Sequence, residues 1–253
     1  MTHYRGQVFA WDVVNEAVEE HGHLKDSIWY DRPGLGLAGK GTAYLEQVFQ
    51  WAHAADPAAL LFYNDAEGET LNAKSDAIYA MVKDFKRRGV PIDGVGLQMH
   101  LFDLNPDVAS IEANIARFAA LGVQVHIAEM DVGLPTAPNG EALKTADLER
   151  QSEIYGGIVW ACLSHPGCTA IQTWGFPDKY SSIRSKTKGM KGAALLFDRN
   201  YAPKPACIAL KQALTSARPQ KWRRRSRRLS QELSARPVLP LRPLRLSPCV
   251  LCG

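Results

Sequence analysis

Five short runs of residues that are apolar on both faces alternate with longer amphipathic runs, and this rhythm leaves few folds open to the chain. The short runs lie at 8–14, 60–63, 94–98, 123–130 and 169–174, and each reads as a buried strand. The intervening runs at 42–55, 71–88, 110–121, 146–164 and 203–214 carry helical periodicity. Gly89 and Gly122 stand where the second and third helices should stop, and Ser110 stands at the expected start of the third. Strands apolar on both sides, each followed by a helix, predict a parallel sheet covered by helices. Such a sheet is either an open doubly wound layer or part of a (β/α)₈ barrel. No glycine-rich phosphate loop follows any strand, which argues against the nucleotide-binding open sheets. Polar residues instead cluster at the strand ends, as Asn15-Glu16, Asn64-Asp65, Gln98 with His100, Glu129 with Asp131, and Trp174. Barrel enzymes build their sites there, so a partial barrel of five units is expected.

Charge separates the chain into two parts. The whole carries 30 Lys or Arg and 26 Asp or Glu. Ten of the basic residues but only one acid, Glu232, lie beyond residue 217, which leaves the body at about −5. The expected division is a catalytic body at 1–215 and an Arg- and Pro-rich disordered tail at 216–253. A mildly acidic body gives no reason to expect a nucleic-acid partner. No apolar run approaches a membrane span, and the first residues lack the apolar core of a signal peptide. Cys249 and Cys252 form a CxxC without a second pair, and His21 and His23 have no third ligand in sight, so neither predicts a metal site.

Glu16 and Glu129 are the candidates for chemistry. Each ends a strand, and in a barrel these two strand ends face one another across the mouth. Two carboxylates so placed suit cleavage of an acetal: one protonates the leaving oxygen, and the other attacks or activates water. A competing reading leaves both as solvent-facing partners of lysines. Three neighbours favour the chemical reading. Asn15 is placed to bond a sugar hydroxyl, His100 to bond Glu129 and keep it ionised, and Asp131 to orient that imidazole. Trp174 offers a flat platform for a pyranose ring, whereas Trp11, Trp51 and Trp160 read as packing residues. Trp29, in a SIWYDRPG loop, is a weaker platform candidate.

Five segments, WDVVNEA, GVGLQMHL, HIAEMDV, QTWGFPDKYSSI and ALLFDRNYAPKPA, resemble in order the signature segments of glycoside hydrolase family 10. That family comprises retaining endo-1,4-β-xylanases. The resemblance covers about residues 4–215 and implies strands four to eight of a (β/α)₈ barrel. It implies cleavage of β-1,4-xylan through a covalent glycosyl-enzyme, with no cofactor or metal. By position, Glu16 would be the acid/base and Glu129 the nucleophile. Asn15, Gln98, His100 and Trp174 would line the subsite for the sugar under attack, with Asp131 behind His100, and Asn64 and Asp65 match the fifth-strand segment. The resemblance also implies a Cys162–Cys168 disulfide and an extracellular setting. An acid/base of this kind needs a raised pKa, expected here from partial burial and the nearby charge of Glu129.

The sequence departs from the family pattern in three places. Nothing matches the first three strands, so an N-terminally truncated barrel is expected. Ser182 stands where the family usually has a second tryptophan, and Ala66 where it commonly has an aromatic residue. Two further readings therefore compete: a catalytically impaired chain that only binds polysaccharide, and the same chemistry on a β-1,4-glucan. Five strands would also leave two apolar edges unpaired, which favours self-association.

Overall fold

The computed structural model describes residues 1–29, 37 and 39–216. The expected tail lies outside the described residues, apart from Ser216, which ends the last helix. In chain order the first elements are β1 (Ala10–Asn15), α1 (Ala43–Ala55), β2 (Leu60–Asp65), α2 (Ala73–Arg88), β3 (Gly94–Leu97) and β4 (His100–Leu101). There follow α3 (Val108–Ala120), β5 (Gln124–Val132), β6 (Leu134–Pro135), α4 (Thr145–Ser164) and β7 (Cys168–Thr173). The chain continues through α5 (Ile183–Lys186), β8 (Lys191–Gly192) and α6 (Pro205–Ser216). Strands β1, β2, β3, β5 and β7 lie side by side in that order, all parallel. Short β4 extends β3 after a break at Gln98-Met99 and pairs with the far end of β5. The five strands and their helices fall where the sequence rhythm puts them.

Local chemistry sets the helix ends. Asn72 caps α2 by accepting from the Ser75 N–H at 2.8 Å while Ser75 Oγ takes the Asn72 N–H, and Gly89 closes the helix at φ 75°. The expected Ser110 cap of α3 is corrected: the cap is Asp107, which accepts the Ser110 N–H at 2.9 Å. A carboxylate at the positive end of the helix is the stronger acceptor. The Ser110 hydroxyl instead takes the Leu71 N–H at 2.8 Å and ties the start of α3 to the loop before α2.

The core lies between the sheet and the helices. Leu61, Tyr63, Val95, Leu97, Val125 and Ile127 point outward from the strands and are buried with Phe49, Phe85, Phe118 and Ile158 from α1 to α4. On the opposite, barrel-facing side, Phe62 stacks on His126 at 4.0 Å across Gly94. A Cβ at Gly94 would stand 2.0 Å from the Phe62 ring, and one at Gly96 would stand 2.2 Å from Asn64 Oδ1. The two bare positions on β3 are what let its neighbours lie flat over it. Burial falls off towards the edges: every residue of β3 is buried, whereas β1 and β7 mix half-buried with exposed positions. Phe9, just ahead of β1, is 70% exposed.

His126 gives this layer a pH dependence. Burial pulls its pKa down to about 4, and Nε2 has no hydrogen-bond partner among the described residues. The unfolded chain takes up this proton near pH 6.5 and the folded chain only near 4, so stability is full above 6.5 and falls as pH drops towards 4. The loss attributable to this one ring is at most roughly 3 kcal/mol. Melting temperatures measured from pH 7 to 4 should decline less steeply in His126→Phe than in the parent; equal slopes would remove His126 as the cause.

Candidate active site

The end of β1 is held by β2. Glu16 adopts φ 55°, a left-handed conformation that is uncommon outside glycine. Its N–H donates to Asn64 O at 2.9 Å. The next two N–H groups are also bound, Ala17 to the Tyr63 hydroxyl at 3.2 Å and Val18 to Asp65 Oδ2 at 3.4 Å. Tyr63 in turn donates to Asp65, and Asp65 pairs with Lys74 at 2.8 Å with both side chains almost wholly buried. Asp65 therefore anchors the turn that carries Glu16 and does not face the cleft. A buried ion pair of this kind is intolerant of losing either partner.

Three amides link the two acids. Gln98 Nε2 donates to Glu16 Oε1 at 2.9 Å and to Asn15 Oδ1 at 3.2 Å. Asn64 Nδ2 donates to the same Asn15 oxygen at 3.0 Å and to Glu129 Oε1 at 2.7 Å. Glu129 Oε2 meets His100 Nε2 at 3.2 Å, and His100 Nδ1 meets Asp131 Oδ1 at 2.9 Å. The chain of contacts runs Glu16, Gln98, Asn15, Asn64, Glu129, His100, Asp131 without a gap. Asn64 and Gln98 are each only 2% exposed, so in this network they orient the acids from beneath. Burial opposes the charge on His100, yet the carboxylates of Asp131 and Glu129 outweigh it and hold its pKa above the ordinary 6.5. Charged, the ring donates to both carboxylates. Trp174 lies edge-on to His100, with ring centroids 6.3 Å apart, and remains 49% exposed, so an indole face is open to a ligand.

One expectation is overturned. The pKa of Glu16 is lowered, not raised. The Gln98 amide favours the ionised form most strongly; burial opposes it, and Lys25 at 3.6 Å reinforces it. The raised value required a desolvated carboxyl, and the Glu16 side chain is 44% exposed. The lysine partner is also the one feature of the competing surface reading that the structure contains. Sequence reasoning missed Lys25 and a buried acid, Glu69, which accepts the Met99 N–H at 2.9 Å. Both lie on loops, and Glu69 acts on a residue distant in sequence. His21 and His23 gather no third ligand, and no group of three His, Cys, Asp or Glu among the described residues is placed to hold a metal. Cys162 at the end of α4 and Cys168 at the start of β7 are joined by a disulfide.

Paired strand-end carboxylates beside an exposed indole lie on a parallel sheet wrapped by helices, the arrangement of the (β/α)₈ barrel class, of which this chain holds part. The model of glycosyl hydrolase family 10 matches residues 1–213, and the chain belongs to that family. Endo-1,4-beta-xylanase B of Thermotoga neapolitana is 44% identical over 215 residues, covering 85% of this chain and 58% of the relative. Endo-1,4-beta-xylanase D of Talaromyces funiculosus is 40% identical, covering 85% and 50%. The crystal structure of xylanase 10B from Thermotoga petrophila, in complex with xylobiose, superposes with TM-score 0.78 at 44% identity and covers 85% of this chain and 62% of that one. The chain thus spans between half and two thirds of these relatives, and its fold is a partial barrel.

The Lys25 contact has a measurable consequence. A proton donor must be protonated, so its activity is lost as pH rises through its pKa. Removing the Lys25 cation raises the Glu16 pKa and, with Glu16 as the donor proposed below, moves that alkaline limb upward. In Lys25→Met the limb of kcat/KM should lie at higher pH than in the parent. A limb that stays in place, or moves down, would show that Lys25 does not set it.

Proposed function

We propose that the chain hydrolyses β-1,4-xylosidic bonds in xylan by double displacement, with Glu129 as nucleophile and Glu16 as acid/base. The observation that carries this reading is the amide bridge, which gives each carboxylate its own donors while tying the two acids into one unit. Ionised Glu129, steadied by Asn64 and His100, attacks the anomeric carbon as Glu16 gives its proton to the departing oxygen. Forming the ester neutralises Glu129, and Glu16, now a carboxylate, takes a proton from the water that opens the ester. Retention through such an ester calls for roughly 5–5.5 Å between the carboxyl groups. Trp174 stacks against a sugar ring, and bound substrate buries Glu16, replacing water around it and favouring its protonated form. Asn15 faces the cleft and is the polar group that reaches substrate, while Gln98, Asn64 and Asp131 hold the others in place.

A binding-only chain is the second reading, favoured by the exposure of Glu16 and by Ser182, whose hydroxyl is buried without a hydrogen-bond partner among the described residues. A β-1,4-glucan substrate is the third. Reducing-sugar release from xylan should be clear in the parent and fall by about 10³-fold or more in Glu129→Gln, with the first product in the β configuration. No release in the parent, alongside retained affinity for xylan, would establish the binding reading. Faster release from cello-oligomers than from xylan would establish the glucan reading.

The disulfide supports a secreted protein working in an oxidising medium. No helix among the described residues is long and apolar enough to cross a membrane. Among the described residues strands β1 and β7 each pair on one side only, so the chain should associate through these edges. Sedimentation at micromolar concentration should show dimers or larger species. A cooperatively melting monomer would contradict that expectation.

A further inference from the structure

Both arms of the acid-holding network leave from one three-residue stretch. Gln98 reaches to Asn15 and Glu16 at the end of β1, and His100 reaches the other way to Glu129 and Asp131 on β5. Met99 between them is fully buried and adopts φ 66°. A bulky side chain in this left-handed region is strained and persists only where its surroundings impose it. What imposes it is visible in the hydrogen bonds. β3 ends at Leu97 and β4 begins at His100, so the Met99 N–H is out of the ladder. It donates instead to Glu69 Oε1 at 2.9 Å.

Glu69 is itself fixed. Its side chain comes from the loop after β2, and the residue is 7% exposed. Asn114 on α3 donates to Gly68 O at 2.8 Å and to Glu69 O at 3.0 Å, and Arg117 donates to Asn114 Oδ1 at 2.8 Å. A helix on the outside of the sheet thus clamps the loop, and the loop presents a carboxylate to the Met99 N–H, which lies between β3 and β4. A buried carboxylate is expensive without donors, and this one also lies within electrostatic reach of His100.

We propose that Glu69 is a positioning residue for both candidate catalytic acids: by accepting the Met99 N–H it holds the left-handed turn that aims Gln98 at Glu16 and His100 at Glu129. This rests on the hydrolase reading for its consequence in rate, but its geometry is independent of substrate. The charged groups acting on His100 are Asp131 and Glu129, opposed by Lys186 of α5; Glu69, whose own pKa burial raises, lies within electrostatic reach of the ring.

Glu69→Gln keeps an acceptor oxygen and removes the charge, while Glu69→Ala removes both. The expected result is a fall in kcat of about 10²-fold in Glu69→Ala with KM changed by less than roughly threefold, and recovery to within about tenfold of the parent in Glu69→Gln. The His100 titration, followed by NMR, needs no activity. Its midpoint should move down in Glu69→Ala and by a smaller amount in Glu69→Gln. Unchanged kcat and an unchanged His100 midpoint in folded Glu69→Ala would overturn the proposal. So would Glu69→Gln being as impaired as Glu69→Ala while melting like the parent. A parent that releases no sugar would instead remove the hydrolase reading, and the His100 titration would still decide the role of Glu69.

Discussion

Asn15 Oδ1 accepts one amide hydrogen from Gln98 and one from Asn64, and the site is organised around that shared oxygen. Each of those amides spends its other hydrogen on a carboxylate, Gln98 on Glu16 and Asn64 on Glu129. Two anions on different strands are thereby oriented by dipoles that are themselves fixed. The arrangement needs the register of three adjacent parallel strands: Asn15 is level with Asn64, and Asn64 with Gly96. A slip of one residue at either pairing would turn one amide to the helix side and break the chain of contacts. Sheet pairing, amide orientation and acid placement are one constraint.

The electrostatics divide unevenly around this bridge. Glu129 sits over a buried imidazole backed by a carboxylate with no solvent exposure, and Asn64 and His100 give its two oxygens fixed partners. Glu16 sits at the rim beside Lys25, with water around much of its side chain. Two identical residue types thus receive different surroundings, one dry and structured, the other wet and adjustable. The proton affinity of Glu16 is set first by the Gln98 amide, then by its partial burial and by Lys25.

The fold was legible where its signals are local. Double-faced apolar runs located the five long strands, and Gly89 marks the end of α2 in plain residue chemistry. The strand-end acids and the His100–Asp131 pair were legible because a barrel gives strand ends one meaning. The cap of α3 was misplaced by three residues, since two competing cap types, Asp107 and Ser110, stand in the same turn. Glu69 and Lys25 were invisible because each acts from a loop, on a partner 30 residues away for Glu69 and across a turn for Lys25, and no periodicity marks such a contact. The pKa of Glu16 went the other way for the same reason. Neither the Lys25 ion pair nor the degree of exposure can be inferred from the residues next to it.

The bare backbone of β3 beneath the site has an evolutionary reading. Asn64 Oδ1 lies over Gly96, where even a methyl group would collide with it. The amide that serves Glu129 and the strand that supports it have therefore been shaped as a matched pair, side chain above and hydrogen below. Loops at the rim can drift without disturbing this contact. The floor has no such latitude, so diversity among descendants of this chain should collect around the opening of the cleft and be nearly absent from the two glycine positions under it.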